Sequence, residues 1–578
     1  MKQFVFDIEA NGLNPDKVWC ICMRELGTNN KYTINQSGVE IGRFNQFLEE
    51  QGECELIGHN IIDYDIPVLE RLLGADFSKC KITDTLVMSR LANPQREGGH
   101  SLENWGNILG QPKGEHSDWD NFSQDMVDYC TQDVAVNVLA YKRLLTELDG
   151  FGSESIDLEH RVQSIISQQI KAGWKLDQEK AFLLLAELKE KKYDLEDEVL
   201  QTFKPLPTFV KEITPKVKKD GTFSVVGLKF LGEQWTTAVA PFSRLDYPVF
   251  NLGSRQQIGR YLQYFGWKPK QFTETGQPIV DEAVLSKVEG IPQASLIGEY
   301  LMIQKRVAQV QSWLDAVKDD GRVHGYVNAC GAVTGRMTHS SPNMGQVPAV
   351  YSPYGKQCRD VWTVPEGYKL VGCDASGLEL RMLAHYMNDE DYTNEILNGD
   401  IHTANQLAAG LDTRDQAKTF IYAFLYGAGD SKVGSIVGGT KRDGARLKEK
   451  FLSNTPSLRD LRERVGVAAT RGYVLSLDRR RVSIRSEHAA LNSLLQSAGA
   501  VVMKKALCLL QEYATIWGIQ YNIIGNIHDE IQTEVEQEKA EVFGRLAVSC
   551  IEAAGLHYKL NCPLTGDYKV GNSWADTH

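Results

Sequence analysis

Asp7 and Glu9 stand two residues apart in the apolar run FVFDIE, so on a strand both carboxylates leave the same face. Two carboxylates held together repel unless a cation joins them. An acid pair at this spacing is common and alone says little. Two further pieces give it meaning. The pattern N-x-x-x-Y-D runs from Asn60 to Asp65, and Tyr129 and Asp133 lie four apart, on one face of a helix. Asp7, Glu9, Asp65 and Asp133 could together hold two hard cations about 3.5–4 Å apart. One ion would activate a water, the other would stabilise a leaving 3′ oxygen, and Tyr129 would orient the water. Asp63 sits beside Tyr64 and Asp65 and competes for the third place.

A second set of residues lies towards the other end of the chain. Asp374 ends an apolar strand in LVGCDASGLELR, where the Ala375 carbonyl is free to ligate, and Glu379 opens a helix after Gly377. His528, Asp529 and Glu530 occupy the tip of a hairpin, IIGNIHDEIQTEV; adjacent acids in a turn are often merely solvated. In RDQAKTFIYAFLYGAG, Arg414, Lys418, Tyr422 and Tyr426 recur every four residues, a slowly drifting helical stripe that is cationic first and aromatic later. A plain amphipathic helix with snorkelling bases has this look. The rest of that helix is apolar (Ala417, Phe420, Ile421, Phe424, Leu425), which makes the stripe an inward functional face. It suits a nucleotide, with triphosphate on the cations and base against tyrosine.

These residues need elements to position them. Residues 1–150 alternate strands and helices. A break at 149–160, DGFGSESIDLEH, reads as a linker into a new helix. Residues 157–200 are helical and charged, and 203–250 turn rich in Pro, Gly, Thr and Lys. Strands and turns mix over 322–390, helices dominate 391–510, and strands return over 518–578. A chain of 578 residues exceeds one core, so two or more domains are expected. Hydrophobic content of 42% and charged content of 24% are those of a globular protein, with no run of about 18 apolar residues and no signal-peptide core. The 11 cysteines include no CxxC pair and read as scattered reduced thiols; Cys20 and Cys22 suit a short strand better than a zinc knuckle. Net charge of −12 by itself argues against nucleic acid. Metal-holding acids inflate that figure, however, and two basic clusters, Lys211–Lys219 and Arg479–Arg485, are each either a local groove or a solvated face.

The first set, in this order and spacing, resembles the three motifs of the DnaQ-like (DEDDy) 3′→5′ exonucleases, a pattern that selects Asp65 over Asp63. The second set resembles motifs A, B and C of family A (polymerase I type) DNA polymerases. DASGLELR, GDIHT, HAALN-x-LLQSAGA, HDEIQ, EYLMIQKR, NACGAVTGR and SPYG-x-QCR closely resemble the replicative polymerases of short-tailed bacteriophages. The resemblance implies an α/β fold: an RNase H-like exonuclease domain at 1–150, then a right-hand polymerase domain at 151–578. Its thumb would cover about 155–325, its palm about 326–390 and 505–578, and its fingers about 391–504. It also implies that Asp374, Asp529 and the Ala375 carbonyl bind two Mg2+ ions per site, with Mn2+ as a substitute. Arg414, Lys418 and His402 would hold the triphosphate. Tyr422 and Glu379 would border the sugar, and Tyr426 the templating base. Arg336, Gln496 and His528 would read the minor groove of the primer end, joined by His488 and Asn492, two and one helical turns before Gln496.

The implied partners are primed template DNA and dNTPs, with no membrane, and a replisome helicase–primase. Host thioredoxin is a further candidate, set against a stretch at about 203–250 that is shorter than the insertion capturing it in phage relatives. The implied location is the cytoplasm of an infected bacterium. A phage-type single-subunit RNA polymerase is the alternative, opposed by the bulk of Glu379 against a 2′-hydroxyl and by the exonuclease motifs. A catalytically dead scaffold is opposed by the full complement of acids.

Overall fold

The computed structural model describes residues 1–28, 30–35, 42–222, 224, 241–288 and 290–578. Within the basic stretch expected at about 203–250, residues 223 and 225–240 lie outside the described residues. Contacts divide the chain into two compact units, Met1–Leu176 with Ala316–His578, and Asp177–Asp315.

The first unit opens on a five-stranded sheet: β1 (Lys2–Ala10), β2 (Val18–Glu25), β3 (Lys31–Asn35), β4 (Cys54–Gly58) and β5 (Cys80–Asp84). Their order is β3-β2-β1-β4-β5, an RNase H-like arrangement. β1 runs antiparallel to β2 and parallel to β4. Apolar–polar alternation sets the faces. Phe4, Phe6 and Ile8 pack on one side with Phe44 and Leu69, while Val5 and the intervening positions turn to the other. On that second side lies α2 (Gln124–Glu147), packed against β1 and β2. A short helix, α1 (Asp65–Leu73), follows β4 and ends at Gly74, whose φ of 61° is the left-handed conformation glycine adopts most readily. The break at 149–160 is not all linker. Helix α3 (Ser153–Ala172) starts inside it, and Ser155 and Glu159 are fully buried.

Further along the same unit, β6 (Tyr368–Ala375), β7 (Tyr521–Ile527), β8 (Glu530–Glu536) and β9 (Gly566–Gly571) form an antiparallel sheet in the order β7-β8-β6-β9. Helices α4 (Leu378–Met387), α5 (Ile401–Ala409) and α6 (Arg414–Leu425) follow β6, and α7 (Ala490–Ile516) precedes β7. One apolar core joins this sheet to the helices, with Cys373, Leu378, Phe420, Phe424, Phe451, Leu494 and Val501 all buried. The segment Glu487–Ile516 is apolar enough to cross a membrane by composition, although no long unbroken apolar run marks it in the sequence. Of its apolar 18-residue window 78% is buried inside the protein, as befits a core helix.

A knot of buried charge ties α3 to the rest of the unit. Glu159 accepts from Arg480 Nη1 at 2.5 Å and from Lys504 Nζ at 2.6 Å, and Arg480 also pairs with Asp478 at 2.6 Å. The basic cluster at 479–485 is therefore no uniform surface. Arg480 is internal, and Arg481 stacks on Tyr473 and donates to the Asp149 carbonyl.

The second unit packs the helices Gln178–Thr202 and Pro292–Asp315 together. A ribbon of Thr208–Ile213 paired with Phe242–Asp246 and an aromatic cluster of Phe203, Phe250 and Tyr261 complete its described part.

Candidate active sites

On β1, Asp7 and Glu9 face α2, which brings Tyr129, Cys130 and Asp133 over them. Asp65 joins at the first turn of α1. The loop before it is held by Asp84, whose carboxylate accepts the backbone N–H groups of Asn60 and Ile62 at 2.9 and 3.1 Å. Asn60, with φ of 66°, makes the turn. Asp63 points elsewhere: both its oxygens accept from Gln163 of α3, at 3.0 and 2.9 Å. This separates the two competing aspartates.

Glu9, Asp65 and Asp133 are buried, and crowding makes their charges costly. Burial, then the charges of Asp65, Glu9 and Asp133, push Asp7 well above the carboxylate range. Burial and Asp133 push Glu9 up to about 8, and burial and Asp84 push Asp65 up to about 7. Lys113, which no motif marks, relieves part of this. Its Nζ lies 2.8 Å from Asp133 and 4.8 Å from the Tyr129 ring centre. Asp65 Oδ1 and Asp133 Oδ1 are buried without a hydrogen bond. Orphaned carboxylate oxygens among hard donors fit a divalent cation, which would satisfy them and lower the repulsion.

The second site forms where β6 meets the β7–β8 turn. Asp374 pairs in register with Glu530, and the Ala375 N–H donates to the Asp529 carbonyl at 3.1 Å, which fixes the two aspartates side by side. Burial and the Asp529 and Glu530 charges push Asp374 up to about 6. Burial also raises Asp529, opposed by Arg336 at 3.8 Å. Glu530 is the odd member. Trp574 Nε1 and His578 Nε2 both hold its Oε1, at 2.9 and 3.1 Å. Oxygen donors crowded in this way again fit a divalent cation.

Facing these acids, α6 starts with a capping box of Thr413 and Gln416, so its cationic end is well defined. Arg414 grips Asp400 with two bonds, 2.6 and 3.2 Å, and Asp400 also caps α5, next to His402. His402 Nδ1 is buried without a partner, 6.4 Å ring to ring from Tyr422. Lys418 is exposed. The Tyr426 hydroxyl donates to Glu379 at 2.8 Å, and Arg336 reaches Glu379 at 3.2 Å. Arg336, Glu379, Tyr426 and Asp529 thus form one polar bridge across the cleft.

The candidate primer-reading residues divide. Asn492 and Gln496 share a face of α7 and bond each other at 3.1 Å. His488 lies outside that helix, exposed in the short turn Glu487–Ala489, because α7 begins only at Ala490. Its carbonyl abuts Gly427, where a side chain would come within 2.8 Å. His528 is exposed at the turn tip with φ of 57°. Sequence reading missed Asp84 and Lys113, which stand in no motif, and gave no role to Asp400, which lies in GDIHT; all three hold functional groups.

Residues 231–576 match the DNA polymerase family A domain. The chain is 36% identical to the DNA-directed DNA polymerase of Escherichia phage T7, over 99% of this chain and 100% of that one. The enzyme of Enterobacteria phage T3 gives the same identity and coverage. The T7 alignment runs 706 positions against a chain of 578, so more than a hundred positions of that relative have no counterpart here. Among solved structures, the polymerase domain of Pol1 from M. smegmatis, in complex with DNA primer-template and dNTP, superposes with a TM-score of 0.79 at 19% identity. That match covers 100% of this chain and 96% of that one. The chain belongs to DNA polymerase family A.

Proposed function

We propose that this protein is a template-directed DNA polymerase that extends a primer with dNTPs and carries a 3′→5′ proofreading exonuclease. The placement of Asp374 and Asp529 side by side, opposite the Arg414–Tyr426 stripe, supports this reading most strongly. Family A polymerases depend on divalent metal. Magnesium ions, two per site with manganese as substitute, would supply the charge that activates a 3′-hydroxyl or a water and steadies the oxygen that leaves.

The chain's own groups do the rest. Asp374, Asp529 and the Ala375 carbonyl hold the ions of one site, and Asp7, Glu9, Asp65 and Asp133 those of the other. Arg414 exchanges Asp400 for the triphosphate, with Lys418 and His402 beside it, and neutralises the departing pyrophosphate. Tyr422 and Glu379 close on the sugar, and Tyr426 yields the template position. Arg336, Gln496, Asn492, His488 and His528 offer donors to minor-groove acceptors, which look alike for all correct pairs. In the exonuclease, Tyr129 orients the water. The domains are those given by the motifs, with the thumb supplying lysines to the duplex. The place of action is the cytoplasm of an infected bacterium, beside a helicase–primase, with thioredoxin dispensable.

Primer extension and single-strand digestion in magnesium test the reading. Asp374→Ala or Asp529→Ala abolishes extension and spares digestion, and Asp7→Ala with Glu9→Ala does the reverse. A folded variant of either kind that loses both activities contradicts the two-site assignment. Extension with rNTPs as efficient as with dNTPs would instead indicate an RNA polymerase.

A further inference from the structure

The face of the first sheet that carries Asp7 and Glu9 carries something else beside them. In the antiparallel register, Asp7 pairs with Cys22 and Glu9 with Cys20. Side chains of paired residues leave the same face, so two thiols on β2 stand next to two carboxylates on β1. Cys130 of α2 closes over both. The thiols are not scattered. The sulfurs of Cys20, Cys22 and Cys130 lie within 4.8 Å of one another, and all three residues are buried. Cys130 Sγ is 3.7 Å from Asp7 Oδ2.

Buried cysteines commonly serve as small apolar fillers. This trio has more than filler needs. A tetrahedral zinc ion bound to sulfur at about 2.3 Å sets its sulfurs about 3.8 Å apart, so the trio needs to contract by about 1 Å at most. Asp7 groups with Glu9 and Cys130 rather than with all three sulfurs, so to take the fourth place its carboxylate must turn from Glu9 towards Cys20 and Cys22. Cys54 and Cys80 make the contrast: their sulfurs are 3.7 Å apart, and among the described residues no third ligand group joins them.

We propose that Cys20, Cys22 and Cys130, with Asp7, form a site for a thiophilic divalent cation of the zinc class, and that filling it withdraws Asp7 from the exonuclease acids. The second half rests on the exonuclease reading above; the first does not. On binding, each thiol releases its proton to solvent and donates a sulfur lone pair, so no oxidant or reductant is needed. Magnesium, a hard ion that takes oxygen ligands, does not compete for the sulfurs. One sheet face would thus hold a hard-metal site that drives digestion and a soft-metal site that stops it.

Cadmium reports such a site through the ultraviolet charge-transfer band of its thiolate bonds. The full chain, reduced and in excess magnesium, is titrated with cadmium alone. The parent is expected to show the band saturating at one equivalent. The variant Cys20→Ser/Cys22→Ser/Cys130→Ala shows none at that stoichiometry, the gentler Cys22→Ser weakens it, and Cys54→Ser keeps it. With the band formed, the parent's digestion of single-stranded DNA falls about tenfold or more, as for a lost metal ligand, while primer extension holds. A parent without the band, or a triple variant that keeps it, overturns the site. A saturated band with unchanged digestion overturns the withdrawal of Asp7. If the parent digests nothing in magnesium before cadmium is added, the exonuclease reading itself has failed, whereas the band still decides the site.

Discussion

At the scale of single residues, Tyr422 is the sharpest test of the polymerase site. It borders the proposed sugar position, its ring faces His402, and burial, then the Glu379 and Asp529 charges, keep its hydroxyl protonated. That hydroxyl can stand in for a missing 3′-hydroxyl on the nucleotide. Tyr422→Phe should therefore lose the ready use of dideoxynucleotides by roughly tenfold to a hundredfold, the worth of one hydrogen bond of about 1–3 kcal/mol. Competition between ddNTPs and dNTPs in primer extension measures this, and equal use by variant and parent counts against the role. The exonuclease acids make a prediction about pH. Glu9 and Asp65 bind protons more tightly in the fold, at about 8 and about 7, than at their ordinary values of 4.5 and 3.8. The folded state then holds more protons than the unfolded one between those limits, so their contribution to stability falls as pH rises from about 4.5 to about 8. In chelator, the melting temperature of the parent should drop across that window more steeply than that of Glu9→Gln. Magnesium should remove the difference at high pH by replacing the protons. Parallel pH profiles for the two proteins in chelator would show that the acids are not coupled as the geometry requires.

At the scale of elements, α3 carries one corner of a buried charge cluster. Glu159 satisfies two buried cations, Arg480 from the hairpin of Tyr473–Leu475 with Arg481–Ser483 and Lys504 from α7. Arg480 also presses on Gly335, the residue before Arg336, so the knot supports the loop that reaches the polymerase acids. Removing one member of a buried ion cluster costs about 3–5 kcal/mol, because the remaining charges stay desolvated. Glu159→Gln should lower the denaturant midpoint accordingly, and Glu159→Gln with Lys504→Met should recover part of the loss. A midpoint unmoved by the single change would mean the knot is relaxed by solvent. None of this knot was legible from patterns. Arg480 looks like a member of a surface basic run, and Glu159 looks like any helical acid, because burial at one point of a charged sequence leaves no periodic trace.

At the scale of the whole molecule, the question is how the enzyme stays on DNA. Lys211, Lys216, Lys218 and Lys219 are exposed in the second unit, and relatives of greater length have residues this chain lacks. If these lysines touch phosphates, each lost contact flattens the salt dependence of binding by about 0.9 in log–log slope. The fourfold lysine-to-alanine variant should show a lower slope and shorter products at moderate salt, with single-nucleotide insertion near normal. A many-fold lengthening of products by added thioredoxin, equal in parent and variant, would refute direct contact.

The sequence by itself determined the strand that carries Asp7 and Glu9, the helix that carries Tyr129 and Asp133, the stripe from Arg414 to Tyr426, and the hairpin around Asp529. Each of these is written in a local period of 2 or about 3.6 residues, or in a turn, and local patterns survive without knowledge of distant partners. Only the tertiary structure decided that Asp63 belongs to Gln163, that Arg414 rests on Asp400, that His488 falls before its helix, and that Cys20, Cys22 and Cys130 meet. Those outcomes depend on strand register and helix packing between residues a hundred or more apart in some cases and fourteen in another. Such separations are set by burial and polar pairing across the fold, which no single stretch of sequence encodes.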